Sequence, residues 1–573
     1  MPGAHWFGGA RLNYADNLLA GDPARPAIVF ANERGDRREL SLGELTRQVG
    51  AIAAALKSFG IGKGDRVAGV LPNSPECVVA ALATASLGAV WSSCSPDFGS
   101  SSLLDRLNQI DPKLVFGVDG YFYAGKTIDC LPRLREVVDN LASVEQVIVT
   151  QYVGSDLHSG SWSGVHSFET LAANNSTLEF VDVEFNHPLF IMFSSGTTGP
   201  PKCIVHGAGG TLLQHLKEHQ LHTDIRLGDR VFYYTTTGWM MWNWLLSSLA
   251  SGATLVLYDG APLHPSADAL WQLADREQIS VFGTSARYLS ALEKSDFSTG
   301  KRFDLSSLKA VLSTGSPLAP SSFDFVYRTI KQDLMLASIA GGTDLISCFV
   351  LGNPMLPVYR GEIQCAGLGM DVQVFDEDGR PCVGQKGELV CASPFPSMPI
   401  EFWNDPSGSA YRRAYFKRFP SVWHHGDFAE LTAQGGVIMH GRSDATLNPG
   451  GIRIGTAEIY RILDQLPEIA DAVVVGQAWE GDTRVVLFVA LTPSYVLDER
   501  TEKAIRDALR SNASPHHVPA KIVGVNDIPR TLSGKISERA VSDAVHDRVI
   551  ENLAALANPK ALAEFRNRQE LTS

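Results

Sequence analysis

Short apolar runs rich in Val, Ile and Phe recur along the chain and alternate with longer stretches of helical character. Ala27-Ile-Val-Phe30, Val67-Ala-Gly-Val70, Val147-Ile-Val149, Ile279-Ser-Val-Phe282 and Ala310-Val-Leu312 have the length and β-branched content of buried strands. Strands that alternate with helices predict an α/β fold with mainly parallel sheets, since parallel neighbours need a crossover between them. One helix carries its own punctuation: Ser41-x-x-Glu44 forms a capping box at its start, and Gly60 supplies a stop.

After about residue 365 the pattern changes. Asp371-Val-Gln-Val-Phe375, the turn Asp376-Glu-Asp-Gly379 and Gly387-Glu-Leu-Val390 read as antiparallel strands of a small barrel-like subdomain over about 365–443. Beyond Gly441, Ala472-Val-Val-Val475, Arg484-Val-Val-Leu-Phe-Val489, a helix over 499–511 and Lys521-Ile-Val523 predict a compact α+β unit. The expected organisation is a large N-terminal domain of stacked α/β sheets over 1–443, including the β subdomain, followed by an α+β C-terminal domain over 444–573.

Val231 to Tyr258 holds no charged residue, and that is longer than the roughly 20 residues that cross a bilayer. Gly238 and Gly252 interrupt it and leave a short apolar piece followed by the strand-like Thr254-Leu-Val-Leu-Tyr258. A buried helix and strand are therefore expected, with no membrane span, and the uncharged Cys77 to Ser95 stretch reads the same way. Composition agrees: 573 residues, 45% hydrophobic and 19% charged, suit an enzyme-sized globular protein of several structural units. The 62 acidic side chains against 49 basic ones give a formal charge of −13, which argues against nucleic acid or an anionic membrane as the main partner. An anionic ligand would need positive groups gathered locally. Cys77, Cys94, Cys130, Cys203, Cys348, Cys365, Cys382 and Cys391 form no C-x-x-C pair, and the N-terminal residues show no basic region ahead of a long apolar stretch. A cytoplasmic protein with reduced thiols is expected.

The apolar Pro188-Leu-Phe-Ile-Met-Phe193 runs into Ser194-Ser195-Gly196-Thr197-Thr198-Gly199-Pro200-Pro201-Lys202. A Walker loop has a different spacing and a Ser or Thr after its lysine, where this chain has Cys203. The chemistry is nevertheless that of a phosphate loop. Gly196 and Gly199 let the backbone approach an anion, Ser194, Ser195, Thr197 and Thr198 offer hydroxyls and amides, and Lys202 supplies charge. The prolines stiffen the exit.

The loop resembles the signature of the adenylate-forming superfamily, and further motifs of that superfamily appear in order across most of the chain. Ser313-Thr-Gly-Ser-Pro317 resembles the strand end of the adenine pocket, which implies nucleotide contacts for Gly315, Ser316 and Pro317. Gly341-Gly-Thr-Asp344 stands where the family has a T-E pair, so Thr343 and Asp344 inherit a catalytic role and Asp344 a Mg²⁺ role. His425-Gly-Asp427 resembles the T-G-D whose aspartate binds the ribose hydroxyls. Gly441-Arg-Ser-Asp444 resembles the interdomain hinge, with Arg442 near the ribose and Asp444 as pivot. Gly450-Gly-Ile-Arg453 supplies an arginine expected near the α-phosphate, and Pro529-Arg-Thr-Leu-Ser-Gly-Lys535 resembles the loop with the adenylation lysine. Singly, each has an ordinary reading as a turn aspartate, a solvated arginine or a turn lysine. Their joint order and spacing carry the resemblance.

The resemblance implies ATP, Mg²⁺ and coenzyme A as cofactors and a two-step reaction. A carboxylic acid is joined to the α-phosphate of ATP with loss of pyrophosphate, whose phosphates the 194–202 loop cradles. Mg²⁺, Lys202, Lys535 and Arg453 offset the charge. The mobile C-terminal domain then turns about Asp444, Lys535 withdraws, and CoA thiol displaces AMP. Three positions depart from the pattern. Asp344 replaces a glutamate and reaches one methylene less, which shifts its implied metal contact toward a bridging water. His425 replaces a threonine, and Ala445 an acidic residue.

WFGGARLNYADNLL and GTAEIY resemble the acetyl-CoA synthetase branch. In acetate-activating members the second tryptophan of D-T-W-W-Q closes the acyl pocket, and an ungapped count back from Thr343 puts Gly341 there. Losing an indole, which buries on the order of 150–250 Å², predicts room for a longer acid beside Gly341 and Gly342. Trp239, Met240, Met241, Trp242 and Asn243 form the expected opposite wall. Asn243 and the indoles of Trp239, Trp242 and Trp244 are candidate donors to a carbonyl in the pocket, although a Met-rich aromatic stripe also reads as core. TTTGWMMWNWLL, LSTGSPL, FWND and GRSDATLNPGGIRIG resemble the acetoacetate-activating members of the branch. Small-molecule substrates are thus implied: acetoacetate, ATP and CoA. Alternatives are a butyrate-like acid, an adenylation module loading a carrier protein, and a non-catalytic nucleotide-binding protein. No G-G-x-S attachment site follows Lys535, and both lysines and both aspartates are in place.

Ser95-Pro-Asp97, Gly125-Lys126 and Gly450 fall where related enzymes meet CoA, while Lys126 also reads as an exposed loop lysine. His215, His219 and His222 share a helix face at metal-ligand spacing. No carboxylate or cysteine completes a motif, so a packed or solvated face is expected.

Overall fold

The computed structural model describes every residue except Pro2, 156–161, Ser163, 195–200, Asp296, Lys301, Asn448, 450–453, Glu480, Gly481, Ser533, Glu551, Asn552 and Ser573. Two large sheets organise the first 350 residues or so. The first has eight strands, in the order Val165–Ser167, Gln146–Thr150, Leu114–Val118, Arg66–Val70, Val90–Cys94, Pro188–Ser194, Lys202–Gly207 and Glu401–Phe402. Its first six strands are mutually parallel, and each of the last two runs antiparallel to the strand before it. The second has seven, in the order Met335–Ser338, Ala310–Thr314, Val281–Ser285, Arg230–Tyr233, Thr254–Asp259, Pro26–Asn32 and Arg37–Ser41, parallel up to the final hairpin. The strand expected at Ile279 starts two residues later, at Val281. The helix Leu42–Ser58 begins with the full Ser41–Glu44 capping box, and Gly60 follows it at φ +78°.

The largest core lies between the two sheets. It joins Trp91, Phe116 and Phe190 of one to Val231, Leu255 and Val281 of the other. Two helices are embedded in it, Pro75–Ser86 and Met240–Ser247, and every residue of both is buried. This explains the two charge-free stretches: a helix covered on all sides has no face for a charge to occupy. Among the described residues no helix is long and apolar enough to cross a membrane.

The β subdomain combines an antiparallel sheet of Val372–Phe375, Lys386–Cys391, Trp423–Leu431 and Val437–Arg442 with a three-stranded sheet of Ala340–Gly342, Ser347–Leu351 and Cys365–Ala366. One core spans both, with Phe349 and Val350 from one and Leu389, Trp423 and Val437 from the other. In the C-terminal region, Ile469–Trp479, Asp482–Leu491 and Lys521–Gly524 form a sheet with a separate core on each face. All eight cysteines are free thiols.

Candidate active site

The segment expected to hold phosphate joins two antiparallel neighbours, Pro188–Ser194 and Lys202–Gly207, so Ser194 and Lys202 face each other as register partners at its base. The Ser194 hydroxyl is buried with no hydrogen-bond partner. The Lys202 ammonium lies 5.6 Å from the Tyr415 ring and 5.7 Å from the Phe402 ring, which hold it without neutralising it. Ser195, Gly196, Thr197, Thr198 and Gly199 lie outside the described residues, as do Gly450 and Arg453.

Lys202 faces Asp344. This carboxylate follows the Ala340–Gly342 strand, in a short turn over Thr343–Leu345. Burial pushes its pKa up, but Lys202, His425, the Tyr415 hydroxyl and Arg442 together outweigh burial and hold it below the usual value. Tyr415 donates to Asp344 Oδ1 at 2.6 Å and stacks on Trp423 at 3.7 Å. Motif reading missed Tyr415, because a tyrosine in a short amphipathic helix carries no signal of its target.

A row of buried side chains fixes the turn from below. His206 Nε2 donates to Thr343 O at 2.8 Å, His215 Nε2 to Ile346 O at 2.6 Å, and His222 Nδ1 to Gly352 O at 2.7 Å. His219 donates to Trp244 O at 3.0 Å. Burial lowers the pKa of all four, to about 4 for His206, and keeps them neutral. The histidine row is thus a packed face, and among the described residues no group of three or more His, Cys, Asp or Glu is arranged to hold a metal ion. Within this row Glu218, also missed by motif reading, is 1% exposed. Its Oε1 accepts from the Ser347 hydroxyl, from Gln214 Nε2 at 2.8 Å and from Cys348 N at 3.2 Å. Its Oε2 accepts from Trp244 Nε1 at 2.9 Å. A π-helical turn over Glu218–His222 brings this carboxylate inward.

On the other side, Asp427 and Arg442 are register partners on adjacent strands, and Arg442 Nη1 donates to Asp427 Oδ1 at 3.0 Å. Arg442 Nε also lies 3.7 Å from Asp444 Oδ1. His425, neutralised by burial, lies 3.5 Å from Asp427 Oδ2 and accepts from Trp423 Nε1 at 3.4 Å. Lys535 enters this constellation from the C-terminal domain. Burial and Arg442 lower its pKa, against Asp427 and Asp344, so its ammonium shares their electrostatic field. Lys535 and the Arg442 side chain, half-exposed at 51%, keep contact with solvent although protein crowds around them. A tight turn presents Lys535: Thr531 N bonds Lys535 O at 2.8 Å, and Arg530, paired with Asp471 at 2.6 Å, braces Gly534 O at 2.8 Å.

The expected acyl wall begins at Trp239, the N-cap of Met240–Ser247. A Cβ on Gly315 would stand 4.0 Å from its indole, so this wall adjoins Gly315, half-buried beside Pro317 and the exposed Ser316. Met240, Met241 and Trp242 are buried, and Trp242 Nε1 donates to Asn73 Oδ1 at 3.2 Å. Gly341 requires a correction. A Cβ there would strike Ser347 O at 2.1 Å and Cys348 Cα at 2.5 Å, so the position points into its own hairpin and vacates no room for an acid. Gly342 is the open position, with Asp344 Oδ2 at 3.5 Å and His425 at 3.7 Å as nearest neighbours. Ser95 is buried against the same wall, its amide 3.1 Å from a Cβ placed on Gly238. Lys126 sits on an exposed hairpin, Gly120–Tyr123 with Lys126–Asp129, whose turn Glu33 clasps through the Ala124 and Gly125 amides.

Residues 16–398 match the family of AMP-binding enzymes, and residues 458–535 match the AMP-binding enzyme C-terminal domain. An acetoacetyl-coenzyme A synthetase of Rhizobium meliloti is 54% identical over 100% of this chain and 88% of its own. The acetoacetyl-CoA synthetase of Mus musculus is 48% identical over 99% and 86%. Among solved structures, acetoacetyl-CoA synthetase from Streptomyces lividans superposes with a TM-score of 0.94 at 44% identity, covering 99% of this chain and 87% of that one. An anthranilate CoA ligase in complex with anthranoyl-AMP shares the fold, with a TM-score of 0.80 at 21% identity over 93% and 97%.

Proposed function

Since the chain belongs to the AMP-binding enzyme family, we propose that it is an ATP-dependent acid:CoA ligase that converts acetoacetate, ATP and CoA to acetoacetyl-CoA, AMP and pyrophosphate. The observation that supports this reading is that Lys535 of the C-terminal region lies within the electrostatic reach of Asp427, Arg442 and Asp344, where Arg442 Nη1 donates to Asp427 Oδ1 at 3.0 Å. Near-full-length likeness to acetoacetyl-CoA synthetases supports the choice of acid.

In the first step the acid carboxylate attacks the α-phosphate, and the bond to the β-phosphate oxygen breaks. Lys535 and Arg453 offset the charge that builds at the α-phosphate. Lys202, Ser194 and the loop residues Ser195 to Gly199 hold the departing pyrophosphate. Asp427 accepts from the ribose hydroxyls, with Arg442 holding it in place, and Gly315, Ser316 and Pro317 flank the adenine. Asp344 suits a Mg²⁺ contact: it is kept ionised, and Tyr415 occupies only Oδ1, which matches an ion usually held by one or two carboxylates plus phosphates and waters. When bound, Mg²⁺ would share the triphosphate's charge. Thr343, tied by His206, sets the carbonyl-lined turn beside it.

In the second step the C-terminal domain turns about Asp444, which removes Lys535 and admits the CoA thiol along Ser95, Gly450 and Lys126. Sulfur attacks the acyl carbon and AMP leaves. The free thiols suit the reducing cytoplasm.

Pyrophosphate release with acetate, butyrate, 3-hydroxybutyrate and acetoacetate, with and without CoA, tests the reading. Preference for butyrate would overturn the substrate, and full turnover without CoA would overturn the ligase. Lys535→Ala is expected to lose adenylate formation while still converting supplied acetoacetyl-AMP to the thioester.

A further inference from the structure

Acetoacetate differs from butyrate by one acceptor, the oxygen on carbon 3. A site that reads it must present a desolvated donor. The tryptophan-rich wall offers four candidates, and the structure removes two, since Trp242 Nε1 is bound to Asn73 and Trp244 Nε1 to Glu218. Trp239 is only half-buried. Asn243 stands apart. It is 2% exposed, and among the described residues nothing hydrogen-bonds its carboxamide.

Asn243 lines a small cavity, about the size of one water molecule, with Trp91, Ser93, Phe193, Thr237 and Gly238. The hydroxyls around it are already engaged: Ser93 Oγ donates to Thr237 O at 2.7 Å, and Thr237 Oγ1 to Leu71 O at 2.8 Å. Trp91 adds a buried indole N–H that has no acceptor. The wall therefore holds two polar groups without a partner among the described residues, the Asn243 carboxamide and the Trp91 indole N–H. An unpartnered amide beside a water-sized cavity leaves its N–H for a partner from outside the chain, a water or an acceptor on the substrate. Along its strand the wall continues from Phe193 to Ser194 at the phosphate loop, and through Gly238 to Trp239 beside Gly315.

We propose that Asn243 is the specificity-determining residue that reads the ketone. Its Nδ2–H donates to the 3-oxo oxygen of the bound acid, which takes the place of one water. This inference rests on the acetoacetate reading above.

The test is kcat/KM for acetoacetate and for butyrate in the wild type, Asn243→Leu, Asn243→Ser and Trp239→Phe. Asn243→Leu removes the donor at similar volume and is expected to lower kcat/KM for acetoacetate about 10- to 100-fold, the worth of one desolvated hydrogen bond, while butyrate stays within about threefold. Asn243→Ser, which keeps a small donor and leaves space, is expected to retain part of the preference if the leucine variant does not fold. Trp239→Phe, in the same wall, is expected to lower kcat/KM for both acids by a similar factor. Equal loss for both acids in the Asn243 variants, an unchanged ratio there, or a ratio that collapses only in Trp239→Phe would each overturn the proposal. Butyrate preferred by the wild type would instead bring down the acetoacetate reading, and this inference with it.

Discussion

Replacing Glu218 with glutamine keeps the shape of the side chain and removes one acceptor. The carboxylate has four donors around it, three on Oε1 and one on Oε2. A glutamine can turn its oxygen to only one side. With oxygen facing Ser347, Gln214 and Cys348, its amide confronts the Trp244 indole donor to donor. One charge-assisted bond, worth about 1.5–3 kcal/mol, is lost and the remaining three become neutral, so a cost of about 2–4 kcal/mol is expected. The strain has a defined path. Ser347 and Cys348 are the register partners of Gly342 and Gly341, so a shift in one strand moves the other and, with it, Thr343 and Asp344. Misplacement of a reacting group by about 1 Å can cost about 10²-fold in rate. Glu218→Gln is therefore expected to lower Tm measurably and to reduce kcat at least about tenfold, with a much smaller change in KM for ATP, because Asp427 and Lys202 do not touch Glu218. Thermal denaturation and steady-state pyrophosphate release check this. A variant with wild-type Tm and kcat would show that the carboxylate does not anchor the Thr343–Leu345 turn.

His206 and His440 both have pKa values lowered by burial to about 4. A histidine buried neutral gives stability that is present above the unfolded value of about 6.5 and is lost as pH falls toward about 4, on the order of 3 kcal/mol each. Urea midpoints at pH 7.5 and 5.0 should therefore differ less in His206→Gln and His440→Gln than in the wild type; an equal drop would refute the assignment. Gly341→Ala is expected to lower Tm or soluble yield, because its Cβ meets the Ser347 carbonyl, while Gly342→Ala, in extended backbone with open space, is expected to fold normally. Reversed outcomes in a thermal melt would mean the hairpin register is wrong. Lys386→Ala breaks a partly exposed ion pair between the β subdomain and Glu458 of the helix Thr456–Leu463. It should cost no more than about 1 kcal/mol yet raise proteolytic cutting near residues 443–445, and unchanged cutting would argue against a restraint there.

The strands and the capped helix were legible because local chemistry dictates them. Val, Ile and Phe in short runs favour buried strands in any context, and Ser41 and Glu44 satisfy each other within one turn. The direction of Gly341 was not legible in the same way. A linear alignment assigns a position but carries no Cβ vector, and the vector here depends on a hairpin whose register shifts between Ala340 and Gly341. The histidine row shows a related limit. Spacing at i, i+4 and i+7 correctly put His215, His219 and His222 together, yet their targets are carbonyls of Trp244, Ile346 and Gly352, remote in sequence. Glu218 was hidden for the same reason, since its partners come from three different elements.

The placement of these side chains also resolves a tension set by composition. A chain of formal charge −13 must gather a triphosphate and a carboxylate, and its overall field opposes both. That field reaches only about 8 Å through physiological salt, whereas two charges about 4 Å apart in partly buried surroundings interact by about 4 kcal/mol. Local arrangement therefore outweighs net charge. Lys202 is held by aromatic faces rather than by a close carboxylate, and Lys535 is delivered on a separate domain. Arg442, by contrast, is already paired with Asp427, so its charge serves to fix the carboxylate more than to attract ATP. Among the described residues of the site, Lys202 and Lys535 are thus the positive groups that no close carboxylate neutralises.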